Sequence, residues 1–133
     1  MPLLRVGDYP SKPQQWTKGW RDEKAMDAFE LSQLVEQRRQ SGERHLEFFR
    51  SSTLSTGIYE LAAGATDPQQ PHTKDEIYYI VSGRAEIRVG DEDRPVGPGT
   101  VIFVEAKLAH RFHSITEDLK ILVVFAPPRG SGA

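Results

Sequence analysis

The residues of this chain best suited to chemistry are its histidines, together with a carboxylate placed close behind one of them. The four histidines are His45, His72, His110 and His113. Glu76 follows His72 after a short linker of three residues, Thr73-Lys74-Asp75. If that linker is a hairpin connection, the two residues face each other across antiparallel strands, with Cβ atoms about 4.5–5.5 Å apart. An imidazole and a carboxylate at that separation can share one metal ion.

The turn is what makes this spacing useful, because on one straight strand His72 and Glu76 would be about 13 Å apart. Gln70 precedes His72 by two positions and therefore faces the same way, about 7 Å along an extended chain. Its amide oxygen could reach the rim of the same site. The segment thus predicts two ligands and a further polar group at the edge.

A third ligand would have to come from elsewhere, and residues 109–113 are the best candidate segment. Alternation along a strand places His110 on the same face as Phe112 and His113 on the opposite face, so at most one of these histidines faces an interior site. Two histidines and one carboxylate form a facial triad, which suits Fe(II) and leaves coordination positions open. The same donors accept Mn, Ni, Cu or Zn, so they do not identify the metal.

The composition limits the protein that must position these residues. The chain has 133 residues, 17 basic and 19 acidic side chains, and no cysteine. This length corresponds to one domain. The lack of cysteine excludes disulfides, thiolate metal sites and iron–sulfur clusters. The balanced charge argues against a nucleic-acid partner.

The apolar runs are far shorter than the roughly 20 residues of a membrane span, and the first residues lack a signal pattern. We therefore expect a cytoplasmic protein with no membrane partner.

From residue 45 onward, short runs rich in Ile, Val, Tyr, Phe and Thr alternate with turn residues. Their spacing of about 8–12 residues predicts an all-β sandwich or barrel. No long helix separates the runs, which argues against a parallel α/β architecture. His45 precedes the first run and is expected to be exposed. The predicted strands cover residues 46–52, 54–61, 76–81, 85–89, 101–104, 110–112 and 119–125.

The first part of the chain has a different composition. Residues 1–20 are rich in proline and carry both tryptophans, which predicts an extended arm that packs on another surface. Residues 27–40 predict one short helix, with Asp27 and Glu30 as a capping box and with Arg38 on a solvated face. The expected boundaries are an arm and helix at 1–44, a barrel at 45–126 and a tail at 127–133.

Two segments resemble the two motifs of the cupin superfamily. Residues 97–104 followed by His110 resemble the second motif. The segment that contains Gly64, His72, Glu76 and Gly83, in that order, resembles the first motif. The resemblance spans about residues 54–125 and implies a double-stranded β-helix, also called a jelly-roll barrel. It also implies that His72, Glu76 and His110 bind one divalent transition metal, which could be Fe, Mn, Ni, Cu or Zn. Gln70 stands where the family has another histidine, which makes it a weak fourth ligand or a group at the edge.

Two classes of function agree with these residues. The first is a metal-dependent enzyme, such as an oxidoreductase of the oxygenase type or an isomerase-like enzyme, acting on a small polar molecule. The second is a non-catalytic module that binds a small molecule. The sequence identifies no catalytic residue, and Tyr78 is only a weak candidate acid or base. Because small cupins are commonly dimers, the resemblance implies a homodimer in which residues 1–20 cross to the neighbour.

Overall fold

The computed structural model describes residues 26–130, and these form one helix and six strands. No helix in this part of the chain is long and apolar enough to cross a membrane. All the strand pairs are antiparallel, so the predicted all-β architecture with one short helix is confirmed. The elements are α1 (Leu31–Ser41), β1 (His45–Arg50), β2 (Ser55–Leu61), β3 (Asp75–Val89), β4 (Glu92–Val96), β5 (Val101–Val104) and β6 (His110–Ala126).

The long strands β3 and β6 form the centre of the sheet, because they pair from one end of each strand to the other. The strand order is β1-β2-β6-β3-β4, and β5 pairs with the first half of β3. Alternation along that half buries Glu76, Tyr78 and Ile80 and exposes the residues between them. The buried apolar residues of β2, β3 and β6 form a core inside the barrel, which includes Leu61, Ile80, Ile87, Phe112, Leu119, Ile121 and Val123.

Each of these long strands joins two strands that the sequence predicted separately. The residues Ser82-Gly83 between the two predicted strands lie inside β3, where the pairing with β6 is irregular. Gly83 has a φ of 97°, and a Cβ atom at this position would lie 2.2 Å from the backbone oxygen of Asp118. Glycine alone adopts this φ readily and also avoids the contact. The glycine therefore marks a bend where two backbones approach closely.

Strand β4 was absent from the predicted strands. Four of its five residues are exposed, so it shows no alternation of buried and exposed positions. It lies at the edge of the sheet, where Pro95 is tolerated because one side of the strand needs no hydrogen-bond donors. Strands of this kind carry little hydrophobic signal, which is why a pattern of apolar residues does not detect them.

The helix differs from its prediction at its start. Residues 27–30 are not helical, and the N-cap residue Glu30 makes no side-chain capping hydrogen bond, so the predicted capping box is wrong. Arg38 is also not on a solvated face, because its guanidinium lies 3.0 Å from the carboxylate of Glu60 and its side chain is 14% exposed. This ion pair fastens the helix to β2. The arm predicted for residues 1–20 lies outside the described residues.

Candidate metal centre

Three side chains with metal-binding atoms meet inside the barrel. One ligand atom from each of His72, Glu76 and His110 lies within 4.8 Å of the other two. The side chains of Glu76 and His110 are each only 1% exposed. Two imidazoles and one carboxylate are donors that a divalent transition metal accepts. The cluster therefore has the composition and the spacing of a metal site.

The curvature of the barrel, rather than direct strand pairing, brings Glu76 and His110 together. Glu76 pairs with Phe125 near the end of β6, whereas His110 is the first residue of β6 and pairs with Val89 at the far end of β3. The two residues therefore stand at opposite ends of the same ladder. Only a sheet that curls back on itself can place their side chains in contact.

His72 reaches the cluster by a route other than the predicted hairpin. It lies in the irregular segment between β2 and β3, so the prediction that it ends a strand paired with Glu76 is wrong. Its backbone oxygen accepts a hydrogen bond of 2.5 Å from the backbone nitrogen of Lys107. Its ring packs edge-on against Phe125, with ring centroids 5.7 Å apart. The backbone hydrogen bond to Lys107 and the packing on Phe125 thus hold His72 close to Glu76, which is where the predicted hairpin would have placed it.

Asp67 anchors the segment that carries His72, a role that the sequence pattern does not reveal. Its side chain is buried, and it accepts hydrogen bonds from the Tyr59 hydroxyl at 2.7 Å and from the Phe112 backbone nitrogen at 2.9 Å. The side-chain amide of Gln69 donates a third, at 2.6 Å. One carboxylate thus ties the irregular segment to both β2 and β6.

The hydrogen bonds around Glu76 and His110 leave one atom of each directed at the cluster. We assign the His110 proton to Nδ1, which lies 2.8 Å from the backbone oxygen of Leu108, so Nε2 carries a lone pair. The Tyr78 hydroxyl lies 2.8 Å from Glu76 Oε1 and 2.9 Å from the amide oxygen of Gln69. Its single proton goes to the carboxylate, which is the stronger acceptor. This arrangement leaves Glu76 Oε2 as the second unused atom.

These two atoms, His110 Nε2 and Glu76 Oε2, lie 2.9 Å apart. The distance is that of an ion pair, but the alignment is too poor for a hydrogen bond, and both atoms are buried with no other partner among the described residues. Buried polar atoms are almost always satisfied. Two lone pairs facing each other in a dry site are stabilised by a cation, so the residues fit a metal ion.

Burial and nearby charge have opposing effects on the two histidines of the cluster. Burial lowers the pKa of His72 below its usual value, and the Glu76 carboxylate opposes this only in part. Burial also acts to lower the pKa of His110, but its contacts with Glu76 and with the Leu108 backbone oxygen outweigh that effect and raise it. Burial, with Glu76 next, raises the pKa of Tyr78 well above its ordinary value. Tyr78 is therefore a hydrogen-bond donor at neutral pH.

The other two histidines lie outside the cluster. His113 is on the outer side of β6, as alternation predicts, and its Nε2 lies 2.6 Å from Asp93 Oδ1. His45 was expected to be exposed, and this prediction is wrong. It lines a pocket beside the cluster, and both of its ring nitrogens are buried without a hydrogen-bond partner in residues 26–130. Burial lowers the pKa of His45 to about 4, so its ring is neutral at neutral pH.

The pairing of β1 with β2 explains the position of His45. His45 pairs with Tyr59, a residue that faces the interior, so His45 faces the interior as well. Its ring lies over Gly57, where a Cβ atom would come within 2.4 Å of Nε2. The ring also contacts Tyr59 and Phe125, with centroids 6.3 and 6.1 Å away. The glycine at position 57 leaves room for this ring. The sequence does not show that Gly57 lies beside His45 until the register of β1 and β2 is known.

A pocket of about 430 Å³ opens beside the cluster. This volume lies within the usual range for sites that bind small molecules. His72 and Tyr78 form part of its wall, and so does Gln70, which is exposed. The contact with the Tyr78 hydroxyl is made by the preceding residue, Gln69, and not by Gln70. The pocket gives a small molecule access to the side of the cluster on which His72 lies.

Comparison with known proteins identifies relatives of this chain. The sequence profile of the cupin domain family matches residues 57–125. An uncharacterized protein of Streptomyces coelicolor, SCO3923, is 50% identical over 103 residues, which are 77% of this chain and 98% of that protein.

Solved structures with the same fold extend the comparison. The crystal structure of TT1209 from Thermus thermophilus superposes with a TM-score of 0.58 at 28% identity, covering 63% of this chain and 82% of that one. An RmlC-like cupin family protein of Methanocaldococcus jannaschii, described as a double-stranded β-helix, gives a TM-score of 0.57 at 16% identity. That match covers 62% of this chain and 78% of the other. The fold of the described strands is therefore a double-stranded β-helix.

Proposed function

The chain belongs to the cupin domain family, and from this membership we propose that it binds one divalent transition metal and a small polar molecule beside it. His72, Glu76 and His110 are the proposed ligands, with Gln70 at the edge of the site. The observation that carries the proposal is the pair of buried atoms His110 Nε2 and Glu76 Oε2, which face each other at 2.9 Å without a hydrogen bond. Three protein ligands leave coordination positions for the molecule in the pocket.

A metal held here would act as a Lewis acid toward an oxygen atom of the bound molecule. The residues of the chain itself prepare the site for this. The backbone oxygen of Leu108 fixes the tautomer of His110, and the Tyr78 hydroxyl holds Glu76 by one oxygen so that the other stays available. Phe125 supports His72 by packing against its ring.

Two groups beside the proposed ligands have pKa values far from neutrality, and this bears on whether either one acts as an acid or a base. The pKa of Tyr78 is raised well above 10 and that of His45 is lowered to about 4. General acid–base catalysis works best when the pKa lies near the working pH. We therefore assign no acid–base role to either group, and the enzyme candidates are an oxygenase and an isomerase-like enzyme. The same observation also supports the second candidate, a non-catalytic module that binds a small molecule.

Metal analysis combined with an oxygen-uptake screen tests this function. Protein purified without an affinity tag is expected to hold one first-row divalent metal per chain, measured by plasma mass spectrometry. An oxygenase consumes oxygen with one member of a panel of small polar molecules. Metal-loaded protein that binds a member of the panel without consuming oxygen or forming product is the non-catalytic module. Protein that stays metal-free when offered Fe(II), Mn, Ni, Cu and Zn in turn contradicts the metal proposal.

An exposed apolar patch supports the further proposal that the protein is a homodimer. Ile77 and Tyr79 on β3 are 45% and 41% exposed, and Val101 and Phe103 on β5 are 62% and 60% exposed. Strand pairing places Ile77 beside Phe103 and Tyr79 beside Val101, so the four side chains form one continuous surface. None of them is charged, and an exposed apolar patch can meet its own copy across a two-fold axis. We therefore propose that a second copy of the chain covers it.

Replacing both Val101 and Phe103 by serine is expected to convert the dimer to a monomer, because it removes the most exposed apolar side chains of the patch. Sedimentation velocity measures the change, and metal content should stay the same because both residues face away from the cluster. Leu31→Ser, at an exposed apolar position on α1, is the matched control and should remain dimeric. A double variant that remains dimeric would contradict the role of the patch. Deleting residues 1–20 would then test the arm.

A further inference from the structure

We infer that the pocket beside the metal centre takes a small organic anion, whose carboxylate or phosphate group is held by Arg44 and Arg129. The inference rests on the proposed function, because it names the class of molecule that binds at the same site. Both arginines line the pocket of about 430 Å³. Arg44 lies just before β1 and Arg129 just after β6, so the two side chains come from separate parts of the chain.

The charges around the pocket favour an anion. The described residues that line it include one carboxylate, Glu43, and two guanidinium groups, so the wall has a net positive charge when the histidines are neutral. Neither Arg44 nor Arg129 forms an ion pair within residues 26–130, although other arginines of the chain do. The paired arginines are Arg38, Arg39, Arg50, Arg84 and Arg88. A guanidinium without a carboxylate partner is well suited to hold an anionic ligand through charge-assisted hydrogen bonds.

The backbone of Arg129 is fixed by contacts with β1 and β2. Its nitrogen donates a hydrogen bond of 2.9 Å to the Ser55 hydroxyl, and its oxygen accepts one from the guanidinium of Arg50. That guanidinium is in turn held 3.1 Å from the carboxylate of Glu47. The turn after β6 therefore presents Arg129 from a constrained position. These backbone contacts fix the position of Arg129 in the pocket wall.

The charges of both arginines act on one part of the pocket, around the paired residues His45 and Tyr59. After burial, Arg129 is the next cause that lowers the pKa of His45. Burial raises the pKa of Tyr59, and the charge of Arg44 opposes that rise. His45 and Tyr59 face each other across β1 and β2. The anion is therefore placed beside His45 and Tyr59, in the pocket that both arginines line.

Isothermal titration calorimetry with matched acids and amides tests this inference. The probes are lactate, its neutral analogue lactamide, and inorganic phosphate, each titrated into Ni(II)-loaded protein and into protein treated with chelator. We expect lactate or phosphate to bind wild-type protein more tightly than lactamide does. Arg44→Met and Arg129→Met should each weaken binding of the anion roughly tenfold, as expected for the loss of one charge-assisted hydrogen bond. Lactamide binding should not change.

Further variants separate charge from folding. Arg111→Met removes an exposed arginine on the outer face of β6 and should bind the anion as the wild type does. Arg129→Lys keeps the charge but loses the planar fork, so it should keep part of the affinity. Thermal unfolding confirms that each variant is folded. Tighter binding of phosphate than of lactate assigns a phosphate group to the natural ligand, and the reverse order assigns a carboxylate.

Several results would overturn the inference. These are equal binding of lactate and lactamide to wild-type protein, undiminished anion binding by the Arg44→Met, Arg129→Met double variant, and a failure of wild-type protein to bind either anion. Metal content measured on the same samples keeps the two proposals separate. Protein that binds the anion through the arginines but holds no metal contradicts only the proposed function. Metal-loaded protein that does not distinguish acid from amide contradicts only the inference.

Discussion

His110→Ala protein is expected to contain no stoichiometric metal, and His72→Ala protein is expected to behave in the same way. Each substitution leaves two protein ligands, which hold a divalent ion poorly, and it also removes one of the atoms that now meet within 4.8 Å. Plasma mass spectrometry of dialysed, tag-free protein measures the metal content. His113→Ala is the matched control, because His113 lies on the opposite face of the same strand, hydrogen-bonded to Asp93.

The pH dependence of metal affinity provides a second measurement of the same site. Coordination requires neutral imidazoles, so affinity should fall as the pH drops through the histidine range, about 6.5 in unperturbed peptides. The pKa of His110 is raised, so protons begin to compete for this ligand above that range. The pKa of His72 is lowered, so it resists protonation to lower pH. If His113→Ala loses the metal and His110→Ala retains it, the assignment of the inward-facing histidine is wrong.

Asp67→Ala is expected to lower the free energy of unfolding by about 3 kcal/mol or more. It leaves the Tyr59 hydroxyl and the Phe112 backbone N–H buried without an acceptor, and each such group costs about 1–3 kcal/mol. Urea denaturation measures the change. We also expect weaker metal binding in the folded fraction, because the segment that carries His72 loses its tie to β2 and β6.

Two further substitutions show whether the effect belongs to the Asp67 carboxylate. Asp93→Ala removes a carboxylate that pairs with Arg88 and His113 on the surface, and should lower the stability far less than Asp67→Ala does. Asp67→Asn keeps one acceptor oxygen but presents an amide N–H₂ group to donors, so its stability should fall between those of wild type and Asp67→Ala. A loss from Asp67→Ala no larger than that from Asp93→Ala would show that Asp67 does not anchor the segment.

The parts of the fold that could be predicted are those where burial follows a simple alternation. Glu76 and Tyr78 face inward on β3, and His110 and Phe112 face inward on β6. One face of each strand packs on the core and the other is exposed to solvent, so alternate residues are buried. The resemblance to cupins then indicated which polar residues on the inner face belong together. The proximity of His72 and Glu76 was also predicted, although the hairpin offered as its cause is absent.

The parts that could not be predicted depend on contacts between distant positions. Asp67 is 45 residues from Phe112 and eight from Tyr59, and no local pattern relates an Asp-Pro turn signal to those two donors. His45 faces inward because of a register with Tyr59 that its own strand does not reveal. Gly83 has a positive φ, but such a glycine suits a turn and a close approach of two backbones equally well, so its role could not be predicted.

If a metal ion binds as proposed, the curled ladder between β3 and β6 makes that ion a cross-link between distant parts of the barrel. Glu76 and His110 come from opposite ends of that ladder, so any motion that straightens β3 at its bend near Gly83 pulls the two donors apart. A bound ion therefore resists such opening, and its binding free energy adds to the free energy needed to uncurl the sheet. We therefore expect opening of the barrel and release of an ion bound at the proposed site to be coupled, so that the ion dissociates when the barrel opens.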